Sequence, residues 1–165
     1  MTSSATSSHL PALAEPHERT AVAHELQCTL QELVDLSLIG KQLHWAVIGH
    51  AFRPVHQQLD ELVASCRALA DVVAERAVAL GHVPDGQAQA VAAGSPLAPV
   101  AAQATESHVV VRAITDRVAQ VSETTRERMD RTAQVDAVSQ DVLIDVVRTL
   151  EHHQWMLRAQ LSDRA

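Results

Sequence analysis

The stretch HWAVIGHAFRPVHQQLDELVASCRALADVVAER, residues 44–76, decides the reading of the whole chain. Its second part carries His56-x-x-x-Asp60 and Asp71-x-x-x-Glu75, two pairs at i,i+4. Residues at that spacing share one helix face. From Asp60 to Asp71 is about three helical turns, with a drift of only roughly 20°, so all four side chains line one stripe of one long helix. Together with His44 they offer carboxylate and imidazole donors, a set suited to Fe(II) or a similar divalent ion.

Length then limits how that stripe works. Asp60 and Glu75 stand about 22 Å apart along a straight helix at about 1.5 Å per residue. Even paired metal ions lie only about 3.5–4 Å apart. One copy of the helix therefore cannot close a site from both ends. Two copies packed antiparallel about a twofold axis can, and a symmetric dimer is the commonest assembly. The His56/Asp60 end of one copy then meets the Asp71/Glu75 end of the other, and the midpoint falls at Ser65 and Cys66. The spacing predicts a site shared between subunits.

The same residues carry a family resemblance. Lys41-Gln42-Leu43-His44-Trp45, Phe52-x-x-x-His56-x-x-x-Asp60-Glu61, Asp71-x-x-Ala74-Glu75-Arg76 and Leu80-Gly81 resemble the Dps family, the miniferritins. A second match lies in Asp136-x-x-Ser139-x-Asp141-x-Leu143-Ile144, Leu150-Glu151 and Trp155-Met156-Leu157-Arg158-Ala159. The resemblance spans roughly Glu18 to Leu161. It implies an all-α, ferritin-like four-helix bundle with a short extra helix in the connection between the second and third long helices. It also implies a hollow dodecamer built from twofold dimers. Iron would be oxidised from Fe(II) at His44, His56, Asp60, Asp71 and Glu75, with hydrogen peroxide preferred over oxygen, and stored as ferric mineral. Within that site Asp71 and Glu75 of one subunit would hold the tighter iron with His44 of its mate, and His56 and Asp60 would complete a weaker position. The resemblance makes Asp141, and with it Asp136 and Asp145, candidates for an acidic lining of the threefold pores. Favourable charge at a helix start is the plainer reading of those three. Lys41 is a candidate partner of a site carboxylate or a simple interhelix ion pair. Trp45 is either a shield against radicals or an interface anchor. Where the family often has Asn after this Trp, Ala46 stands here.

Composition narrows the class. The chain has 165 residues, a formal charge of −7, two tryptophans, one phenylalanine and no tyrosine. A core of Leu, Val, Ile and Ala favours helix on helix. Lys41 is the only lysine, and the N-terminal segment holds none. Binding to DNA draws on basic patches, so the alternative reading, a nucleoid-condensing Dps protein with secondary iron chemistry, is disfavoured. Ferritins and bacterioferritins use Glu-x-x-His on two helices, and this chain contains no Glu-x-x-His. Cys28 and Cys66 are isolated and suggest neither a disulfide framework nor a structural zinc. No apolar run is long enough to span a bilayer. A cytoplasmic protein is expected by default, nucleoid-associated in the alternative reading.

Along the chain, residues 1–16 read as a flexible tail, 17–162 as one helical domain and 163–165 as its end. His9, His17 and His24 are either surface residues or an auxiliary metal site. A first helix is expected from about His17 to Val47, buried along Leu26, Leu30, Leu33, Ser37, Gly40 and His44. A second should end near Leu80, with Gly81 just beyond. The connection from His82 to Pro99 has room for a short helix at Gln87–Ala93. A third helix is expected from Val100 to Arg131, its charged end facing solvent or a neighbour. The fourth starts near Ala137 or Ser139 after an Asp136 cap, with a stripe of Leu143, Val147, Leu150, Gln154, Leu157 and Leu161. His152 and His153 are read as surface or interface residues.

Overall fold

The computed structural model describes residues 15–161. His9, most of the expected tail and the end 163–165 lie outside them. The elements in order are α1 (Pro16–Ala46), β1 (Val47–Ile48), α2 (Phe52–Ala79), α3 (Ala88–Gly94), β2 (Thr105–Glu106), α4 (Ser107–Thr132) and α5 (Ala137–Leu161). Pro16, assigned above to the tail, is the first residue of α1, where proline has no amide bond to lose. The Glu18 carboxylate accepts from the Glu15 amide at 2.9 Å and helps to fix that start.

Cross-helix contacts set the directions. Lys41 meets Asp60, and His44 meets His56, so α1 and α2 are antiparallel. Ser65 meets His153, and Arg76 meets Asp136, so α2 and α5 are antiparallel. Arg126 meets Glu151 across α4 and α5, and Arg131 meets Glu25 across α4 and α1. In this square α4 must start at the end where α1 finishes. The chain therefore crosses the full length of the bundle between α2 and α4.

That crossover is tied down at four points. Gly81, at φ +86°, ends α2, and the His82 amide donates to the Ala77 carbonyl at 3.0 Å, closing the turn that glycine's left-handed backbone permits. Gln27 pairs both ways with the backbone of Asp85, at 2.8 Å each. Gln31 Nε2 donates to the Ala90 carbonyl in α3 at 3.1 Å. The far end pairs in parallel with β1, Val47 opposite Thr105 and Ile48 opposite Glu106. The expected start of the third helix at Val100 is thus corrected to Ser107, because residues just before it are drawn into this extended pairing.

The core is aliphatic, with Leu26, Leu33, Leu36, Leu59, Leu62, Ile114, Leu143, Leu150 and Leu157 all but sealed from solvent. The α1 stripe is buried throughout as expected. On α5 the inward residue after Leu150 is His153, not Gln154. At the charged end of α4 Glu123, Arg126, Glu127, Asp130 and Arg131 face outward as expected, while Thr125, Arg128 and Thr132 turn inward and are buried. Arg128 Nη1 donates to Glu32 at 3.0 Å, with both side chains almost fully enclosed. Ser65 and Cys66, placed above at a dimer axis, turn inward to α5 and the core. At that level the outward residues of α2 are Ala64, Arg67 and Ala68.

Candidate metal centre

The C-terminal turn of α1 leaves its last carbonyls without helical partners. His56, entering α2 beside it, uses one: its Nδ1 donates to the His44 carbonyl at 2.9 Å. His44 returns the bond, Nδ1 to the His56 carbonyl, also at 2.9 Å. The rings stack with centroids 3.5 Å apart and planes 22° from parallel. A carbonyl can only accept, so each Nδ1 carries the hydrogen. In the neutral imidazole that leaves each Nε2 a bare lone pair, the form in which histidine binds a metal.

Asp60 completes the group. One ligand atom from each of His44, His56 and Asp60 lies within 4.8 Å of the others, and among the described residues this is the one such cluster of three. His44 is 6% exposed, whereas Asp60 is open to solvent. Lys41, a turn before His44, sets its ammonium 2.5 Å from Asp60 Oδ1. That hydrogen bond holds the Asp60 carboxyl below the usual aspartate range, with the nearby His44 adding to it. Phe52 leans over His56 with ring centroids 5.0 Å apart. Trp45, beside His44, points outward and is 70% exposed.

Asp71 and Glu75 are not brought to this cluster. Both are exposed further along α2, about 16 and 22 Å away at about 1.5 Å per residue. Neither has an ion-pair partner among the described residues. Arg76, which could have neutralised them, turns the other way. Its Nη2 lies 2.6 Å from Asp136 Oδ2, and its Nε donates to Ser139 at 2.9 Å. Burial works to raise the Asp136 pKa, but the Ser139 hydroxyl, Arg76 and the Val138 amide outweigh it and hold the carboxyl below its ordinary range. Within this chain Asp136 anchors the α5 start, its charge enclosed and paired with Arg76. Asp141 and Asp145 do face outward, Asp145 beside Arg148 at 3.1 Å.

Two features escaped the sequence reading. The stacked, reciprocally bonded histidines needed the α1–α2 turn geometry. His153 carried a signal, the i+3 and i+4 steps from Leu150 to His153 to Leu157. It is buried with Nε2 3.0 Å from Ser65 Oγ, and burial, reinforced by His152, lowers its pKa.

The ferritin-like domain profile matches residues 23–165. A curated relative, the DNA protection during starvation protein of Mycolicibacterium smegmatis, is 34% identical over 95% of this chain and 85% of its own length. The chain belongs to the Dps family of ferritin-like proteins. Another similar protein is named the fine tangled pili major subunit of Haemophilus ducreyi, 33% identical over 86% of this chain and 75% of its own. Among solved structures, Mycobacterium smegmatis Dps superposes with a TM-score of 0.90 at 33% identity, covering 100% of this chain and 91% of that one. The Dps-type bundle, with its short crossover helix, is the fold found here. Among the described residues no helix is long and apolar enough to cross a membrane.

Proposed function

We propose that this Dps-family chain oxidises and stores iron. Its site forms when His44, His56 and Asp60 of one copy face Asp71 and Glu75 of a second. The observation that carries this reading is the half-built state of the centre. One end of α2, beside the end of α1, presents two imidazoles and a carboxylate; the other presents two exposed carboxylates with no cation among the described residues. Asp71 and Glu75 repel each other at i,i+4, and an ion between them removes that repulsion. The surface between the two ends supports pairing of copies. Leu38 and Arg67 line two adjoining clefts, one shared with Lys41 and Trp45, the other with Asp71. Both halves of the centre thus border one largely apolar face. Trp45 and Leu38 stand exposed on it, as residues awaiting a partner do.

Charge orders the binding. Asp60 with Asp71 and Glu75 of the second copy carries three negative charges. Lys41 and one ferrous ion balance them. A second ferrous ion must displace Lys41 from Asp60, so it binds more weakly. Ferrous iron is the substrate. Two ferrous ions give one electron each to hydrogen peroxide, the O–O bond breaks, and two protons complete two waters, with no free hydroxyl radical. Asp141 and Asp145, on an exposed helix face, are placed to draw Fe(II) electrostatically where copies meet. The alternative, a DNA-condensing protein, is disfavoured by the acidic charge and the single lysine; a gel shift at low salt that vanishes with added salt is the sign that would restore it.

Complementation is the test. An Asp71→Ala/Glu75→Ala chain and a His44→Ala/His56→Ala chain are each expected to lose Fe(II) binding and peroxide-driven oxidation. Co-assembled in equal amounts, they should recover about a quarter of the sites by random pairing across a twofold axis. Unchanged oxidation by the first variant alone, or no recovery in a mixture shown to contain mixed dimers, would sink the shared site.

A further inference from the structure

His153 is a buried ionisable group that the iron reading leaves unused. It is 5% exposed in the seam between α5 and α2, with Nε2 3.0 Å from Ser65 Oγ. A serine hydroxyl carries one hydrogen, and Ser65 gives it to the Glu61 carbonyl one turn back, at 2.9 Å. Ser65 Oγ can therefore only accept from His153, which places the ring hydrogen on Nε2. Nδ1 keeps a bare lone pair. It is the one buried side-chain polar atom among the described residues without a hydrogen-bond partner.

The seam thus accommodates one protonation state of the ring. A second proton must go to Nδ1, where no acceptor stands. The new N–H would be a buried donor without a partner, and the ring would carry a charge among apolar groups, both of them costly. Within a turn on either helix, Leu62, Cys66, Leu150 and Leu157 are sealed from solvent. Cys66 adds no charge, since burial pushes its pKa up to about 12. After burial itself, His152 on α5 opposes protonation of His153 and Glu61 on α2 favours it, with the net pKa below the ordinary histidine range. The enclosed charges of α1 and α4, Glu32 and Arg128, are paired with each other, and Arg126 on α4 is paired with Glu151 on α5.

We propose that His153 is an acid-operated latch on the C-terminal half of α5. Neutral, it closes the α2–α5 seam. Protonated from solvent, it leaves Ser65, and the segment from His153 to Leu161 separates from α2 ahead of the rest of the bundle. The opening is confined to that half because the α5 start is held by the Asp136–Arg76 pair. Beyond His153, the one side-chain hydrogen bond from α5 to α2 among the described residues joins Gln160 to Gln58 at 2.6 Å. Helix ends are also where local opening costs least. The ordinary histidine pKa is about 6.5, and the folded-state value lies below it. The latch is therefore fully closed above about 6.5. As pH falls from there towards the folded-state pKa, the opening constant should rise about tenfold per pH unit.

The experiment is amide hydrogen exchange of the full-length, iron-free protein, read by mass spectrometry from about pH 8 to about pH 5 and corrected for the intrinsic chemical rate. Expected is an opening constant that rises on acidification in peptides covering 153–161, while peptides from the α5 start hold theirs. His153→Gln, which can still donate to Ser65, and His153→Phe, which fills the seam without that bond, should each abolish the rise, because neither side chain titrates. Ring-nitrogen NMR should show His153 neutral, protonated on Nε2, and titrating below the ordinary histidine pKa. An opening constant that ignores pH, a rise that persists in both variants, or a ring that titrates at the ordinary value in the folded protein overturns the latch. If one variant does not fold, the other and the ring titration still decide. No iron ligand is altered and no iron is present, so failure here and failure of the iron reading are separate results.

Discussion

Glu32 and Asp71 are carboxylates on neighbouring helices, yet they live in opposite circumstances. Glu32 lies in the α1–α4 seam, where Arg128 bonds both of its oxygens and the Thr124 hydroxyl donates at 2.7 Å. Glu25 and Arg131 extend that seam outward. Asp71, with Glu75, stands on the exposed side of α2 without a cation among the described residues. A buried charge must find its partner within the chain, because leaving it unpaired is costly. An exposed pair of like charges costs little and stays available. The difference separates carboxylates that hold this subunit together from carboxylates that await something else.

The largest effect expected is on the sealed side. Arg128→Ala leaves Glu32 buried and unpaired, and should destabilise the fold by about 3–5 kcal/mol, read by chemical denaturation. Pairing it with Glu32→Gln should restore much of the loss. If the single variant costs nothing, water reaches the seam and the contrast with α2 collapses. The open side should respond the other way. Asp71→Ala/Glu75→Ala should lower ferrous affinity by at least about 100-fold, beyond the usual cost of losing outer-shell groups, while stability holds or rises slightly. A destabilised double variant would show these carboxylates to be structural after all.

Lys41 probes the boundary between the two kinds. It is a resident cation, yet both it and Asp60 remain partly open. Lys41→Met should leave stability nearly unchanged, as for other exposed ion pairs, and tighten the second ferrous ion a few-fold in a binding isotherm. Weaker binding instead would make Lys41 a supporting group of the site, not a competitor for it. The smallest effect belongs to His153. Its folded-state pKa is lowered, first by burial. The unfolded chain then binds the proton more readily, so His153 favours the fold above the ordinary histidine pKa of about 6.5 and loses that contribution as pH falls. His153→Gln can keep the Ser65 bond and should flatten the pH dependence of stability below neutrality. An unchanged slope would assign that dependence to other groups.

Much of this was legible in residues 44–76. The i,i+4 spacings place His56 with Asp60 and Asp71 with Glu75 on one face whatever surrounds them, because helical periodicity is local. Helix length alone separates those two ends, and Gly81 marks the helix stop through its backbone freedom. Tertiary structure decided the rest. Whether Arg76 would neutralise Glu75 or reach Asp136 depended on where α5 packs. That Arg128, unlike its exposed charged neighbours on α4, is buried was hidden because its partner Glu32 lies far away in sequence. The Nδ1 bonds that bare both Nε2 atoms required two helix ends to meet at one turn. Spacing within a helix determines which groups share a face; only the packing of that face determines which of its charges are already satisfied.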